Sequence, residues 1–294
     1  MKKLVAILAA SLIAPALVTA AAAPASAAAA PRDPVVALKR QFAKKTGVRV
    51  ADSMRLSLGG AVLLRARAEG VMRFGPYGVN AFDLKTVTVL DKTVKSRVIA
   101  SGSNFYLQGN QISKELPEGK EWVRVPTTQA GIRSMGAASL INVTDAKVLR
   151  ALLATTKTRT PGGRVAGAKT VLYRGTVTLQ RLAKVSQPIR ALVKATQSKK
   201  PIRVSWRLWV AGDQLPRRFT SSFVLLSDPS TGSTVLTSDT RFSHWGTRTP
   251  VQAPPASTVI DVNDLESGEE LAEDLSGQTL VPLGDPYEGL SAGS

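Results

Sequence analysis

The chain has 294 residues, and its 39 Lys and Arg residues outnumber its 21 Asp and Glu residues, which gives a formal net charge of +18 at pH 7. It contains no cysteine and one histidine, His244. These counts exclude disulfides, a lipid-modified cysteine and thiolate chemistry, and they disfavour zinc sites and histidine-based catalysis. We therefore expect a protein that is not an enzyme and that uses no metal and no cofactor.

The first 27 residues have the pattern of a secretory signal peptide. Lys2 and Lys3 precede an apolar run over residues 4–23, and Ala25-Ser26-Ala27 is a small-residue cleavage site. A membrane anchor helix is the alternative, but an Ala-rich run with a cleavage site is a poor stop-transfer segment. We predict a secreted, extracytoplasmic and soluble protein that is cleaved near Ala27 and carries no lipid anchor.

Acidic and basic residues are distributed unevenly along the chain. Residues 261–294 contain nine acidic residues and no Lys or Arg, whereas residues 28–260 hold 12 acidic and 37 basic residues, a net charge of +25. We predict a globular domain over residues 28–262, followed by an acidic disordered tail over residues 263–294. The basic domain would attract anionic polymers or anionic membrane surfaces, although solubility alone is a simpler reason for such a charge.

Three stretches carry the signals of helices. Asp33 followed by Pro34 is a typical helix start, and residues 145–156 and 180–198 have apolar residues at helical spacing. Pro188 should kink or divide the last of these helices. Residues 127–141 contain two glycines and are ambiguous between a mobile helix and a loop.

Much of the remaining domain alternates polar and apolar residues with a period of two, as expected for strands. The alternation begins at Val48, continues through short segments separated by Gly-containing turns to residue 125, and resumes after Pro161. Together with the helical stretches, this pattern predicts an α+β fold built on an antiparallel sheet.

Residues 202–226 predict a β-hairpin. Gly212-Asp213 lies between two runs rich in β-branched and aromatic residues, and Gly at the first central position is typical of a two-residue type II′ turn. Such a turn would pair Trp206 with Phe219 and Arg207 with Arg218. The other pairs would be Ile202–Phe223, Val210–Leu215, Arg203–Ser222, Ser205–Thr220 and Trp209–Pro216. One face of the hairpin would then be apolar and the other cationic.

The predicted pair of Arg207 and Arg218 would be unfavourable unless an anion lay between the two like charges. That anion could be a phosphate or the acidic tail of the same chain. We therefore predict an anion-facing surface made of Arg203, Arg207 and Arg218.

Five stretches resemble a known family in their order and spacing. They are ALKRQFAKKTGVRVADSMRLSLGG (37–60), SNFYLQGNQISKELPEGKEWVRVP (103–126), GAKTVLYRGTVTL (167–179), WRLWVAGDQLPRRFTSSF (206–223) and DTRFSHWGTRTPVQAPPASTVIDV (239–262). Over residues 35–262 the chain is similar to the LolA-like superfamily, in particular to actinobacterial lipoproteins of the LppX/LprG type. Unlike those lipoproteins, it has no cysteine that could carry a lipid, and the family's Asp-x-x-Gly type turn is replaced by Ala211-Gly212-Asp213-Gln214.

The resemblance implies a strongly curved antiparallel sheet, an incomplete β-barrel, wrapped around helices. It also implies an apolar cavity between sheet and helices that holds the acyl chains of an envelope lipid or glycolipid. The residues expected to line it are Trp206, Phe219, Phe223, Phe82, Leu84, Ile202, Leu152 and Ile189. If the cavity were collapsed, these side chains would form an ordinary core, and the protein would instead be a basic envelope interaction or sensor module. We expect a monomer that binds no nucleic acid.

Overall fold

The computed structural model describes residues 33–110, 112–114, 116–127, 139–196, 198, 200–228, 230, 232–248 and 250–265. The predicted signal peptide (1–27), residues 128–138 of the ambiguous segment and residues 266–294 of the predicted acidic tail lie outside the described residues.

Twelve strands form one sheet, and the two halves of the chain meet at its centre. The strands are β1 (Gly47–Leu58), β2 (Ala61–Gly75), β3 (Gly78–Val89), β4 (Thr93–Ser101), β5 (Asn104–Gly109), β6 (Trp122–Pro126), β7 (Thr156–Val165), β8 (Ala168–Thr178), β9 (Arg203–Ala211), β10 (Pro216–Asp228), β11 (Gly232–Thr247) and β12 (Val259–Asp261). Their order across the sheet is β12-β6-β5-β4-β3-β2-β1-β11-β10-β9-β8-β7. Among these strands only β12 and β6 are parallel neighbours. The pairing of β1 with β11 joins the meander β1–β6 to the meander β7–β11.

The sheet buries one face and exposes the other. In β1 the side chains of Val48, Val50 and Leu56 are buried, whereas the alternating Arg49 and Arg55 are exposed. This period of two is what the alternation in the sequence predicts, because successive side chains of a strand point to opposite faces. We call the buried face the inner face and the other the outer face.

Among the described residues four α-helices lie against the sheet: α1 (Pro34–Ala43), α2 (Ala146–Leu153), α3 (Leu179–Ala183) and α4 (Gln187–Ala195). Asp33 caps α1 by accepting a 2.7 Å hydrogen bond from the backbone N–H of Val35, and Asp145 caps α2 in the same way. Pro188 lies in the first turn of α4, where a missing N–H is tolerated, so it divides the predicted long helix into α3 and α4. None of the helices in the described ranges is long and apolar enough to span a bilayer.

The helices and the inner face share one hydrophobic core. Leu38 and Phe42 of α1, Leu149 of α2, Leu182 of α3 and Ile189 of α4 are all buried in it. Strands β7 and β12 are the two edge strands of the sheet and do not pair with each other, so the curved sheet does not close. The predicted fold class, an α+β fold with a curved, incomplete antiparallel barrel around helices, is confirmed.

A second, smaller cluster lies on the outer face near one end of the sheet. The segment after β11 brings Val251 against Trp122 of β6, Ala81 of β3 and Ile99 of β4. The chain then forms β12 beside β6, where Arg124 makes a 2.7 Å salt bridge to Asp261. This contact fixes the last described strand to the sheet edge.

The central hairpin has a longer turn than the sequence predicted. The N–H of Gln214 donates to the carbonyl of Ala211 at 2.9 Å, and the N–H of Ala211 donates to the carbonyl of Leu215 at 3.1 Å. Gln214, with φ 63°, takes the left-handed conformation, whereas Gly212 does not have a positive φ. The prediction of a two-residue type II′ turn at Gly212-Asp213 is therefore wrong, and a β-turn followed by a left-handed residue replaces it.

The longer turn shifts the predicted register of β9 and β10 by two residues. Trp206 pairs with Ser221, and Phe219 pairs with Leu208. Arg207 lies opposite Thr220 rather than opposite Arg218. None of the other predicted pairs forms; for example, Ser205 pairs with Ser222 and Val210 with Pro216. The faces were nevertheless assigned correctly, because a shift of two residues keeps every side chain on its own face.

Candidate functional site

The residues predicted to line a lipid cavity all lie in the core between the inner face and the helices. Each of them is at most 5% exposed. They are Trp206, Phe219, Phe223, Phe82, Leu84, Ile202, Leu152 and Ile189, and all belong to one contiguous hydrophobic cluster. The strands contribute five of them and the helices two, and Ile202 directly precedes β9. The structure thus brings these residues to one layer, and their role as a lipid-cavity lining stays a prediction.

Trp206 occupies a recess that the neighbouring strand leaves open for it. It pairs with Gly175 of β8, where a Cβ atom would clash with the Trp206 ring and with the backbone oxygen of Thr155. The indole N–H donates to the hydroxyl group of Thr155 at 3.2 Å. Gly175 of β8 therefore leaves room for the indole ring of Trp206, and the hydroxyl group of Thr155, between α2 and β7, holds the ring in place.

Few polar contacts tie the helices to the inner face within the described ranges. Besides the Trp206–Thr155 bond, the N–H of Leu179 in α3 donates to the carbonyl of Ile202 at 2.9 Å, and Gln180 of α3 accepts a 3.1 Å hydrogen bond from the N–H of Ile202 and reaches the carbonyl of Lys200 at 3.4 Å. Most of the rest of the layer consists of apolar side chains in contact. Apolar contacts are non-directional, so such a layer can exchange one apolar partner for another without breaking hydrogen bonds.

A small cavity lies within the core near the segment before α2. Its volume is about 10 Å³, and its lining residues are Val50, Met72, Ser139, Ile141, Asn142, Val143, Thr144, Thr240 and Phe242. A space of this size holds about one water molecule. The hydroxyl group of Ser139 is buried there without a partner among the described residues. The segment 139–144 is thus packed closely over the middle of the inner face.

One acidic side chain, Asp52 of β1, also points to the inner face. It is 7% exposed and accepts a 2.5 Å hydrogen bond from the hydroxyl group of Thr240 on β11. Burial raises the pKa of the Asp52 carboxyl to about 7, since the Thr240 hydrogen bond, which lowers it, offsets only part of the effect of burial. The nearby charge of Asp239 raises that pKa further. Near neutral pH Asp52 is therefore partly protonated, and the inner face holds a carboxyl group that can act as a donor or an acceptor.

The outer face carries a groove of about 640 Å³, which we call the arginine groove. The basic residues that line it are Arg55, Arg65, Arg67, Arg174, Arg207 and Arg218, and its polar residues include Ser53, Ser205, Thr220, Ser222 and Thr237. Of the predicted anion-facing residues, Arg207 and Arg218 lie in the groove, whereas Arg203 is not part of its lining. The sequence analysis missed the other four arginines because they come from β1, β2 and β8, whose neighbours in the sheet cannot be read from local patterns.

Arg218 is the one groove arginine with an acidic partner among the described residues. Its guanidinium group donates to both carboxylate oxygens of Asp239, at 2.8 and 2.6 Å, and lies 4.9 Å above the ring of Trp209. The hydrogen bonds to Asp239 raise the pKa of Arg218. The predicted close pair of Arg207 and Arg218 does not exist, so an anion is not needed between those two residues.

A neighbouring concavity of about 520 Å³ on the outer face has a different character. Glu69 and Asp83 line it together with Arg49, Lys85 and Arg241. Asp83 is paired with Arg97 through hydrogen bonds of 2.9 and 2.7 Å. The mixture of signs there contrasts with the arginine groove, where Asp239 is the sole acidic lining residue.

Comparisons with known proteins point to one group of solved structures. No family model matches the chain, and no curated protein matches it. LprF from Mycobacterium bovis is 15% identical, with a TM-score of 0.42, over 76% of this chain and 97% of LprF. The lipoprotein LppX from Mycobacterium tuberculosis is 16% identical, with a TM-score of 0.40, over 74% of this chain and 98% of LppX.

A LolA superfamily protein from Nitrosomonas europaea also matches, at 9% identity and a TM-score of 0.24, over 74% of this chain and 93% of that protein. These are the groups of proteins that the sequence resembles. These low identities and TM-scores carry no argument about the function of this chain. The chain is thus similar to LprF, to the lipoprotein LppX and to a LolA superfamily protein, as the sequence resemblance predicted.

Proposed function

We propose that this protein is an extracytoplasmic carrier that holds the acyl chains of a lipid or glycolipid between the inner face of its sheet and its helices. The protein would be secreted, without a lipid anchor, and would act as a monomer. It would not be an enzyme, and it would need neither a metal nor a cofactor.

The observation that carries this proposal is the continuous apolar layer between the inner face and the helices. Trp206, Phe219 and Phe82 are at most 2% exposed and belong to the same cluster as Leu152 of α2 and Ile189 of α4. Sequestering an acyl chain against such a layer removes apolar surface from water, at about 25 cal/mol per Å². The layer therefore has the composition that an acyl-chain site needs.

Binding would require the helices to move away from the sheet, because the described core is closely packed. Helices α2, α3 and α4 are short, and the hydrogen bonds of Trp206 and Gln180 are among their few polar ties to the sheet. An acyl chain would replace apolar side-chain contacts by similar contacts, so the opened state would not expose a large apolar area. The open edges at β7 and β12 leave the sheet free to widen.

The inner face also offers a polar contact for a lipid head or linkage group. The Asp52 carboxyl and the Thr240 hydroxyl group lie side by side on the inner face, close to the segment 139–144. A partly protonated carboxyl can hydrogen-bond to an ester or hydroxyl oxygen, so this pair would orient a lipid without requiring a charged head group.

Tryptophan fluorescence can test whether acyl chains bind at the inner face. The chain has four tryptophans, of which Trp206 lies on the inner face and Trp122 in the outer-face cluster. Two variants would each keep one of these two residues and carry Phe at the other three positions. A fatty acid brominated along its chain should quench Trp206 strongly and saturably, and it should quench Trp122 weakly, because bromine quenches at short range.

Equal quenching of Trp206 and Trp122, or no saturable quenching of either, would mean that acyl chains do not enter the inner layer. The Trp122 variant is a matched control, since both residues are at most 5% exposed and differ in the face on which they lie.

A further inference from the structure

We propose that the arginine groove on the outer face binds a linear phosphate-bearing glycan or polyol chain. Two separate clusters of arginines would hold its phosphate groups, and the hydroxyl side chains between them would bind its hydroxyl groups. This inference does not depend on acyl-chain binding, because the groove and the inner layer lie on opposite faces of the sheet.

The register of the strands places the groove residues in two rows that run across the sheet. One row is Arg174, Arg207, Thr220, Asp239, Ser53 and Arg67. The other is Ser205, Ser222, Thr237, Arg55 and Arg65. The middle of the first row is Thr220, Asp239 and Ser53, with arginines at both ends, and the second row has hydroxyl residues followed by arginines at one end. The groove is therefore an ordered array that crosses six strands, from β8 to β2.

The arginines of the two clusters are held close to one another without neutralising partners. Arg55 lies directly opposite Arg65, and Arg174 lies directly opposite Arg207. Like charges directly opposite each other destabilise a sheet. None of these four side chains, nor Arg67, lies within salt-bridge distance of a carboxylate in the described part of the chain. The five guanidinium groups therefore repel one another without a carboxylate to compensate them. An anion bound to each cluster would relieve this repulsion.

Guanidinium groups suit phosphate groups better than ammonium groups do, for a geometric reason. Their planar fork can donate two parallel hydrogen bonds to a phosphate or carboxylate group, which Lys cannot do. All six basic residues of the groove are Arg, although the chain also contains many Lys residues. The one acidic lining residue, Asp239, is occupied by Arg218 and does not repel a ligand as a free carboxylate would.

The spacing of the clusters suits a chain with at least two phosphate groups. The cluster of Arg55, Arg65 and Arg67 lies on β1 and β2, and the cluster of Arg174 and Arg207 lies on β8 and β9. Three to four strand spacings separate β9 from β1 and β2, which corresponds to about 14 to 19 Å. A single phosphate cannot span this distance, whereas a chain with phosphate groups and hydroxyl-bearing units between them can.

The groove lacks the features expected of a nucleic-acid site. Single-stranded nucleic acids are bound on exposed aromatic side chains that stack with the bases. Trp206 is the sole aromatic residue of the groove lining, is 2% exposed, and donates its indole N–H to Thr155 on the inner side. The hydroxyl groups of Ser53, Thr220 and Ser222 are instead suited to the hydroxyl groups of a sugar or polyol.

The test uses the full chain and a synthetic oligo(glycerol phosphate) long enough to span the groove, with binding measured by calorimetry at low and at physiological salt. Arg55→Gln/Arg65→Gln and Arg174→Gln/Arg207→Gln each remove two charges from one cluster. Lys39→Gln/Lys44→Gln removes two exposed charges at α1, away from the groove, and is the matched control. Each groove variant should weaken binding at least about tenfold, since two charge-assisted contacts are lost, whereas the control should change it less than about threefold.

All substituted arginines are exposed, so the variants should fold, and circular dichroism would verify this. The proposal is overturned if the groove variants bind the oligomer like the control variant. It is also overturned if oligodeoxythymidine of equal charge binds as tightly as the oligomer, because the groove would then recognise charge alone. Arginine-dependent binding to phosphatidylglycerol vesicles without binding of the soluble oligomer would identify a membrane surface as the partner and would contradict the proposal.

Discussion

The hydroxyl group of Thr240 donates a 2.5 Å hydrogen bond to the carboxyl group of Asp52 at the junction of the two meanders, on a face that is otherwise mainly apolar. Strands β1 and β11 meet there, so this polar pair lies at the centre of the sheet. A buried carboxyl group that accepts one side-chain hydrogen bond destabilises the fold when it is charged and much less when it is protonated.

The stability of the protein should therefore fall as pH rises from about 4 to about 7. The pKa of Asp52 is raised from 3.8 to about 7 in the folded protein, so the folded state binds more protons than the unfolded state between these values. Integrated over this range, the contribution of Asp52 to the free energy of unfolding decreases by about 4 kcal/mol. Below about pH 4 and above about pH 8 its contribution should be constant.

Urea unfolding at pH 4, pH 5 and pH 8 checks this prediction. Asp52→Asn should resemble the wild type near pH 4 and be more stable than the wild type at pH 8. Asp91→Asn, which removes an exposed carboxylate from the turn between β3 and β4, should retain the wild-type loss of stability. If Asp52→Asn lost stability between pH 5 and pH 8 as steeply as the wild type, Asp52 would not be the group responsible.

The turn of the central hairpin gives a second prediction. Gln214→Gly should increase the free energy of unfolding by about 0.5 to 1 kcal/mol, because Gln214 takes a left-handed conformation that glycine adopts without strain. Gly212→Ala should be nearly neutral, since Gly212 does not have a positive φ and an added Cβ meets no atom within 4 Å.

Chemical denaturation of both variants distinguishes the observed turn from the type II′ turn. In a type II′ turn Gly212 would need a positive φ, so Gly212→Ala would lower stability and Gln214→Gly would gain nothing. That pair of results would contradict the observed turn.

The recess that holds Trp206 should be sensitive to a single methyl group. Gly175→Ala would place a Cβ atom against the Trp206 ring and the backbone oxygen of Thr155, and it should lower the free energy of unfolding by about 1 to 3 kcal/mol. The emission of Trp206, measured in the variant that keeps this tryptophan alone, should change as the ring moves. Gly212→Ala is the control at an unobstructed position, and equal stability of the two variants would show that the recess is not filled as described.

Local patterns in the sequence predicted most of the elements but not the sheet order. The cap Asp33, the break at Pro188 and the alternation in β1 are all properties of neighbouring residues, and all were found in the structure. The pairing of β1 with β11 joins residues almost 190 positions apart, as in the bond between Asp52 and Thr240. No local signal specifies such a contact.

The candidate site was predictable to the same extent. The face on which Trp206 and Phe219 lie follows from the period of two. It was predicted correctly although the predicted register was wrong by two residues. The arginine groove did not follow from the sequence, because Arg55, Arg67, Arg174 and Arg207 come to line one groove only through the sheet order. The predicted pair of Arg207 and Arg218 failed because it depended on the type of one turn.

Mass spectrometry of lipids that copurify with the protein tests the proposed carrier function most directly. Lipids would be extracted from the purified full chain with organic solvent. A secreted protein of similar charge, prepared in parallel, would serve as the control. We expect an acyl lipid or glycolipid that is enriched over the control and is displaced by the brominated fatty acid that quenches Trp206. An extract with no lipid above the control, from protein that also fails to take up the brominated fatty acid, would contradict the carrier function.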